Sequence, residues 1–156
     1  MRPGRARKRG DATKRRRLTA VRSKDAKRMA YYFAKTIEAT FLEAVTRTKS
    51  ALGAQGFGVL SEIDVAATLK AKIGADMPPY LILGACNPQF AYRALSAEPK
   101  IGAMLPCNVI IREEAPGRVE VAAIDPVASM QAVENPALAE IAGAVRDMLQ
   151  KVVASL

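Results

Sequence analysis

From residue 29 onward the apolar positions switch between a period near two and a period near 3.6, and these switches divide the chain into elements. Residues 29–37 (Met-Ala-Tyr-Tyr-Phe-Ala-Lys-Thr-Ile) are rich in aromatic and β-branched side chains and predict a first strand. Thr40, with Glu43 three residues on, forms a capping box. Phe41, Leu42, Val45, Lys49 and Leu52 follow at helical spacing, and Gly53 or Gly56 stops that helix. Residues 57–63 alternate, with Phe57, Val59 and Ile63 on one side and Glu62 on the other, which predicts a second strand. Asp64 caps a short helix with the stripe Val65, Leu69 and Ile73, ended by Gly74.

Pro78-Pro79 breaks the chain before residues 80–86, whose unbroken apolar run predicts a strand that is either buried on both faces or central in the sheet. Asn87 caps the next helix, Pro88 suits its first turn, and Phe90, Ala91, Ala94 and Leu95 form its apolar side. Pro99 and Gly102 end it, and residues 107–113 read as a strand. Ala115-Pro116-Gly117-Arg118 places proline and glycine where a type II turn needs them, so residues 119–124 return antiparallel. Asn135 and Pro136 then open a last helix with Leu138, Ile141, Val145, Met148 and Val152 on one face. The order predicts an α+β two-layer sandwich: a mostly antiparallel sheet covered by helices, with short helices inserted. A doubly wound parallel fold is the alternative, but no glycine-rich loop follows an early strand. The run Gly53 to Gly58 leads into a strand instead.

Charge changes the picture at one end only. Residues 1–29 hold 13 Lys/Arg against Asp11 and Asp25, a net of +11, whereas residues 30–156 carry a net of −2. The chain therefore divides into a basic tail, residues 1–28, expected to be disordered, and one domain over residues 29–156. The tail reads as an arm for nucleic acid or an anionic surface, as a targeting segment, or as an extension upstream of a start at Met29. The longest uncharged run, residues 77–92, is shorter than the roughly 20 residues of a membrane helix and holds three prolines, so no membrane span is expected. Two cysteines and no signal peptide point to a reducing, cytoplasmic setting.

The absence of histidine removes Ser-His and Cys-His nucleophile pairs, His-ligated zinc and proximal-His haem. The remaining chemistry gathers at two Cys-Asn pairs. Cys86-Asn87 ends one apolar strand and Cys107-Asn108 begins the next, so antiparallel neighbours would bring both thiols to one end of the sheet. Such a corner suits a small ligand held by Cys86, Asn87, Cys107 and Asn108. It also suits a soft metal on Cys86 and Cys107 with the Met104 thioether, or a disulfide. Two buried cysteines that only pack would look the same. The carboxylates Glu62, Asp64, Glu113, Glu114 and Glu120 read as solvated faces, because none sits in an apolar pocket signal.

Three segments carry a resemblance: Gly56-Phe57-Gly58-Val59-Leu60, the run Ile82-Leu83-Gly84-Ala85-Cys86-Asn87-Pro88, and Leu105-Pro106-Cys107-Asn108-Val109. Their ordered combination resembles a bacterial family known as domain of unknown function number three hundred and two, from about Met29 to the C-terminus. The resemblance implies a TATA-binding-protein-like β-α-β4-α sandwich and a homodimer, and brings no activity, cofactor or assigned site. The residues favour a non-enzymatic module for a small ligand or soft metal. The alternatives are a thiol redox protein, which lacks a Cys-x-x-Cys motif, and a nucleic-acid or anionic-surface binder acting through the tail.

Overall fold

The structure is a computed structural model that describes residues 30–156. The expected tail, residues 1–28, and Met29 lie outside the described residues. Five strands form one sheet: β1 (Tyr32–Glu38), β2 (Gly58–Asp64), β3 (Tyr80–Cys86), β4 (Cys107–Ala115) and β5 (Arg118–Ile124). Their spatial order is β1-β5-β4-β3-β2, and every neighbouring pair is antiparallel. The helices are α1 (Phe41–Ala54), α2 (Val65–Ile73), α3 (Pro88–Ala97), α4 (Pro126–Ser129) and α5 (Pro136–Ala154), with a 3-10 turn over Pro99–Met104. This is the expected α+β sandwich.

The register sorts the side chains onto two faces, because directly opposed residues share a side. Ile37, Val119, Val121, Val109, Ile111, Leu83 and Ala85 are all buried on one face, under α1 and α5. Leu52 of α1 and Leu149 and Val152 of α5 are fully buried against it. The other face carries Tyr32, Ala34, Ile110, Arg112, Glu120 and Ile82, and is largely open.

Local signals explain the helix starts. Thr40 Oγ1 accepts from Glu43 N and the Glu43 carboxylate accepts from Thr40 N, which completes the capping box. The side chains of Asp64, Asn87 and Asn135 accept from Ala67 N, Phe90 N and Ala137 N and so cap α2, α3 and α5, with Pro88 and Pro136 in the first turns. Gly117 has φ 76° between β4 and β5, where a type II turn needs a residue with positive φ.

Several expectations change. α1 buries Ala44, Thr48 and Leu52, while Leu42 is 77% exposed, so the buried stripe is rotated from the one the apolar residues suggest. Thr48 joins it because its hydroxyl donates to Ala44 O at 2.7 Å. In β2 the register jumps from Val59↔Ala85 to Ser61↔Gly84, a bulge at Leu60. The extra residue inverts the alternation: Glu62 comes opposite Leu83, and Ile63 turns to the open face. α2 buries no residue at all, its Ile73 included. Of the two alternatives for β3, the interior position holds, between β4 and β2, while full burial is confined to Leu83, Gly84 and Ala85. The segment expected to do no more than end α3 forms the 3-10 turn and buries Ile101. The short α4, which no stripe announces, is capped by buried Asp125 through Val127 N.

A candidate ligand cavity beneath the sheet

The end of the sheet where β3 stops and β4 starts faces a cavity of about 310 Å³. Ala85 and Cys107 supply part of its sheet wall, Phe90 and Ala94 of α3 close one side, and Ile141 and Val145 of α5 close another. These are the apolar stripes of two helices whose smallest members, Ala91, Ala94 and Ala142, leave the space unfilled. The polar side chains of the wall are those of Cys86, Asn87 and Cys107, where β3 ends and β4 begins.

Each corner residue is placed by its element. Asn87 follows the last residue of β3 and is the cap of α3, with Oδ1 accepting from Phe90 N at 3.5 Å. Its carbonyl oxygen is thus engaged by the helix, and its amide nitrogen remains toward Gly56. Cys86 and Cys107 are on neighbouring strands at one end of the sheet, and both are free thiols. They are not directly opposed. Cys107 pairs with Ala85 and Asn108 with Gly84, so Cys107 belongs to the covered face while Cys86 and Asn108 belong to the other. Asn108 lines a separate, shallow hollow on the open face. Met104, 40% exposed at the end of the 3-10 turn, contributes nothing to the cavity wall. The structure therefore brings Cys86, Asn87 and Cys107 around one cavity and leaves Asn108 and Met104 out of it.

Burial governs the thiol chemistry. It raises Cys86, and it pushes Cys107 up to about 11, helped by the nearby Cys86. Both are held as neutral thiols at neutral pH, which suits packing against an apolar molecule and opposes attack on an electrophile or ligation of a soft ion. Among the described residues no group of three or more Cys, Asp or Glu is placed to hold a metal. The carboxylates are engaged elsewhere: Glu120 accepts from Arg112 Nε at 2.8 Å, Glu114 pairs with Arg112 and Arg118, Glu62 with Lys49, and Asp64 accepts from Ala67 N at 2.8 Å.

Sequence reasoning does not find the hollow on the open face, about 550 Å³ in size. Tyr31, Tyr32 and Tyr80 line it together with Arg112, Glu120 and Asn108. Apart from Tyr31, just before β1, these residues belong to β1, β3, β4 and β5, and only the register brings them together.

Over residues 33–156 the chain matches the family described as "Domain of unknown function DUF302". Among solved structures it is similar to an uncharacterized conserved protein DUF302 from Bacillus stearothermophilus, at 29% identity and a TM-score of 0.75. That similarity covers 81% of this chain and 98% of the other. No curated protein matches. Among the described residues no helix is long and apolar enough to cross a membrane.

Proposed function

The chain belongs to the DUF302 family, and from that premise we propose that it is a non-enzymatic binding module for a small, uncharged, mostly apolar molecule. The observation that carries this reading is the 310 Å³ cavity with apolar walls and one polar corner. Pockets of this construction hold a ligand by apolar contact and orient it with a few polar atoms. The amide of Asn87 and the thiol of Cys107 are the orienting groups, with Cys86 at the rim. Neutral thiols favour an uncharged ligand over a soft metal, because a metal clamp needs both as thiolates and burial opposes that.

The fluorophore N-phenyl-1-naphthylamine, uncharged and apolar, tests the reading. Saturable binding of one molecule per chain is expected. Ala91→Phe, which fills the space from half-buried α3, should weaken binding by about tenfold or more, equal to about 1.4 kcal/mol, and leave the fold intact. Absence of saturable binding, or equal affinity in the folded variant, would sink the proposal.

A further inference from the structure

The cavity under the sheet end is open on one side and meets its ligand with one strong polar group. Its deep wall is made of nearly buried side chains, Ala85, Ala94, Ile141 and Val145 among them. Leu60, the bulged residue of β2, and Leu95 of α3 also line it, yet they are 69% and 43% exposed. The solvent-facing side therefore runs from the bulge to α3, and its edge is apolar. Among the described residues no Lys, Arg, Asp or Glu lines the cavity. An ionised ligand buried there would lose its hydration with no opposite charge to replace it.

The cap of α3 decides which polar group such a ligand meets. A backbone N–H can only donate, so the Asn87 atom facing Phe90 N at 3.5 Å is Oδ1. That contact fixes the other half of the amide. Nδ2, with its two hydrogens, lies where a Cβ on Gly56 would come within 3.3 Å of it. Gly56 has φ 81°, which favours glycine, and so has no side chain to cover the amide. Asn135, the cap of α5, donates from its own Nδ2 to Ala97 O at 3.0 Å. Asn87 Nδ2 has no such acceptor among the described residues. Cys107, held as a neutral thiol, adds only a weak S–H donor.

We propose that the ligand is a neutral carbonyl compound, a ketone, aldehyde or ester on an apolar body, whose oxygen accepts from Asn87 Nδ2. This rests on the reading of the cavity as a site for an uncharged, mostly apolar molecule, and adds the group by which that molecule is chosen. A carbonyl oxygen accepts without donating, and so matches a donor with no acceptor beside it. A hydrocarbon of the same shape leaves Nδ2 without a partner, and a carboxylate brings a charge that nothing balances. The cavity volume of about 310 Å³ sets the size. An apolar cavity of about 150 Å³ holds one benzene ring, so two fused rings or a chain of similar bulk fit this one.

The experiment uses the full chain and two naphthalenes of one shape: 2-acetylnaphthalene, and 2-isopropenylnaphthalene, in which a methylene replaces the carbonyl oxygen. Each is titrated against bound N-phenyl-1-naphthylamine, and its dissociation constant is corrected for the fluorophore's own affinity in each protein. Wild type is compared with Asn87→Asp, which keeps an oxygen on Phe90 N but puts a second acceptor in place of Nδ2. Asn87→Ser, which also caps a helix and has no amide, is the second variant. In both, the preference for the ketone over the hydrocarbon should fall by about fivefold or more, as for the loss of one hydrogen bond. An unchanged preference in the folded variants would overturn the carbonyl assignment and leave the apolar reading standing. So would failure of both naphthalenes to displace a fluorophore that does bind. Absence of fluorophore binding would defeat the apolar reading and this one with it.

Discussion

Among the described glycines, Gly84 leaves the least room for a side chain. A methyl group there would come within 2.7 Å of Pro106 Cγ and would also strike the Ser61 hydroxyl. The serine can rotate, but the proline ring at the start of β4 cannot move aside without its strand. Gly84→Ala is therefore expected to destabilise the protein by about 1–3 kcal/mol, read as a lower urea midpoint, and Ser61→Gly should recover only part of the loss. Cys107 makes a second claim at this scale. Its ordinary value is 9.0 and burial pushes it up to about 11. Between those values the unfolded chain has released a proton that the folded chain keeps, so stability should fall as pH rises from about 9 towards 11. The full loss approaches about 2–3 kcal/mol. The difference between wild type and Cys107→Ala in urea midpoints at pH 8 and pH 10.5 isolates it; an unchanged difference would mean that Cys107 is not held neutral. That both thiols lie at one end of the sheet was legible in the residues. Their opposite facing was not, because it depends on pairing Cys107 with Ala85 and not with Cys86, an offset that no local pattern encodes.

At the scale of elements, most of what depends on residues within four positions of each other was legible, the Asp125-Pro126 start of α4 being the exception. Thr40 with Glu43, Asn87 with Pro88, and Asn135 with Pro136 each mark a helix start that the structure contains. Whatever depends on a partner strand or helix was not. The bulge at Leu60 reverses the alternation that Phe57, Val59 and Ile63 suggest, and α1 selects Ala44 and Thr48 over Leu42 because the sheet lies on that side. The apolar stripes of α3 and α5 were visible singly, but the cavity arises from their shared shortage of volume at Ala94 and Ala142. Asn87 ties element to site, since it caps the helix that forms one wall. Asn87→Ala should cost about 1 kcal/mol by loss of the cap. It should also weaken N-phenyl-1-naphthylamine binding, whereas Thr40→Ala, at a helix that does not line the cavity, should cost a similar amount and leave binding unchanged. Equal binding in all three proteins would separate α3's start from the site.

For the whole molecule, charge and packing belong to different parts of the chain. Among the described residues, the buried hydrophobic core runs from Ile37 to Val153, and every strand finds its partners there. Residues 1–28 carry a net of +11, more than the +9 of the whole chain, and offer little apolar surface to bury. We propose on this ground that residues 29–156 fold as one domain without them. A chain beginning at Met29 is then expected to melt cooperatively within about 2 °C of the full chain, a difference that corresponds to well under 1 kcal/mol. The same shortened chain should bind N-phenyl-1-naphthylamine as before, because the cavity walls all lie beyond residue 56. A large fall in melting temperature would place part of residues 1–28 against the fold and refute the division.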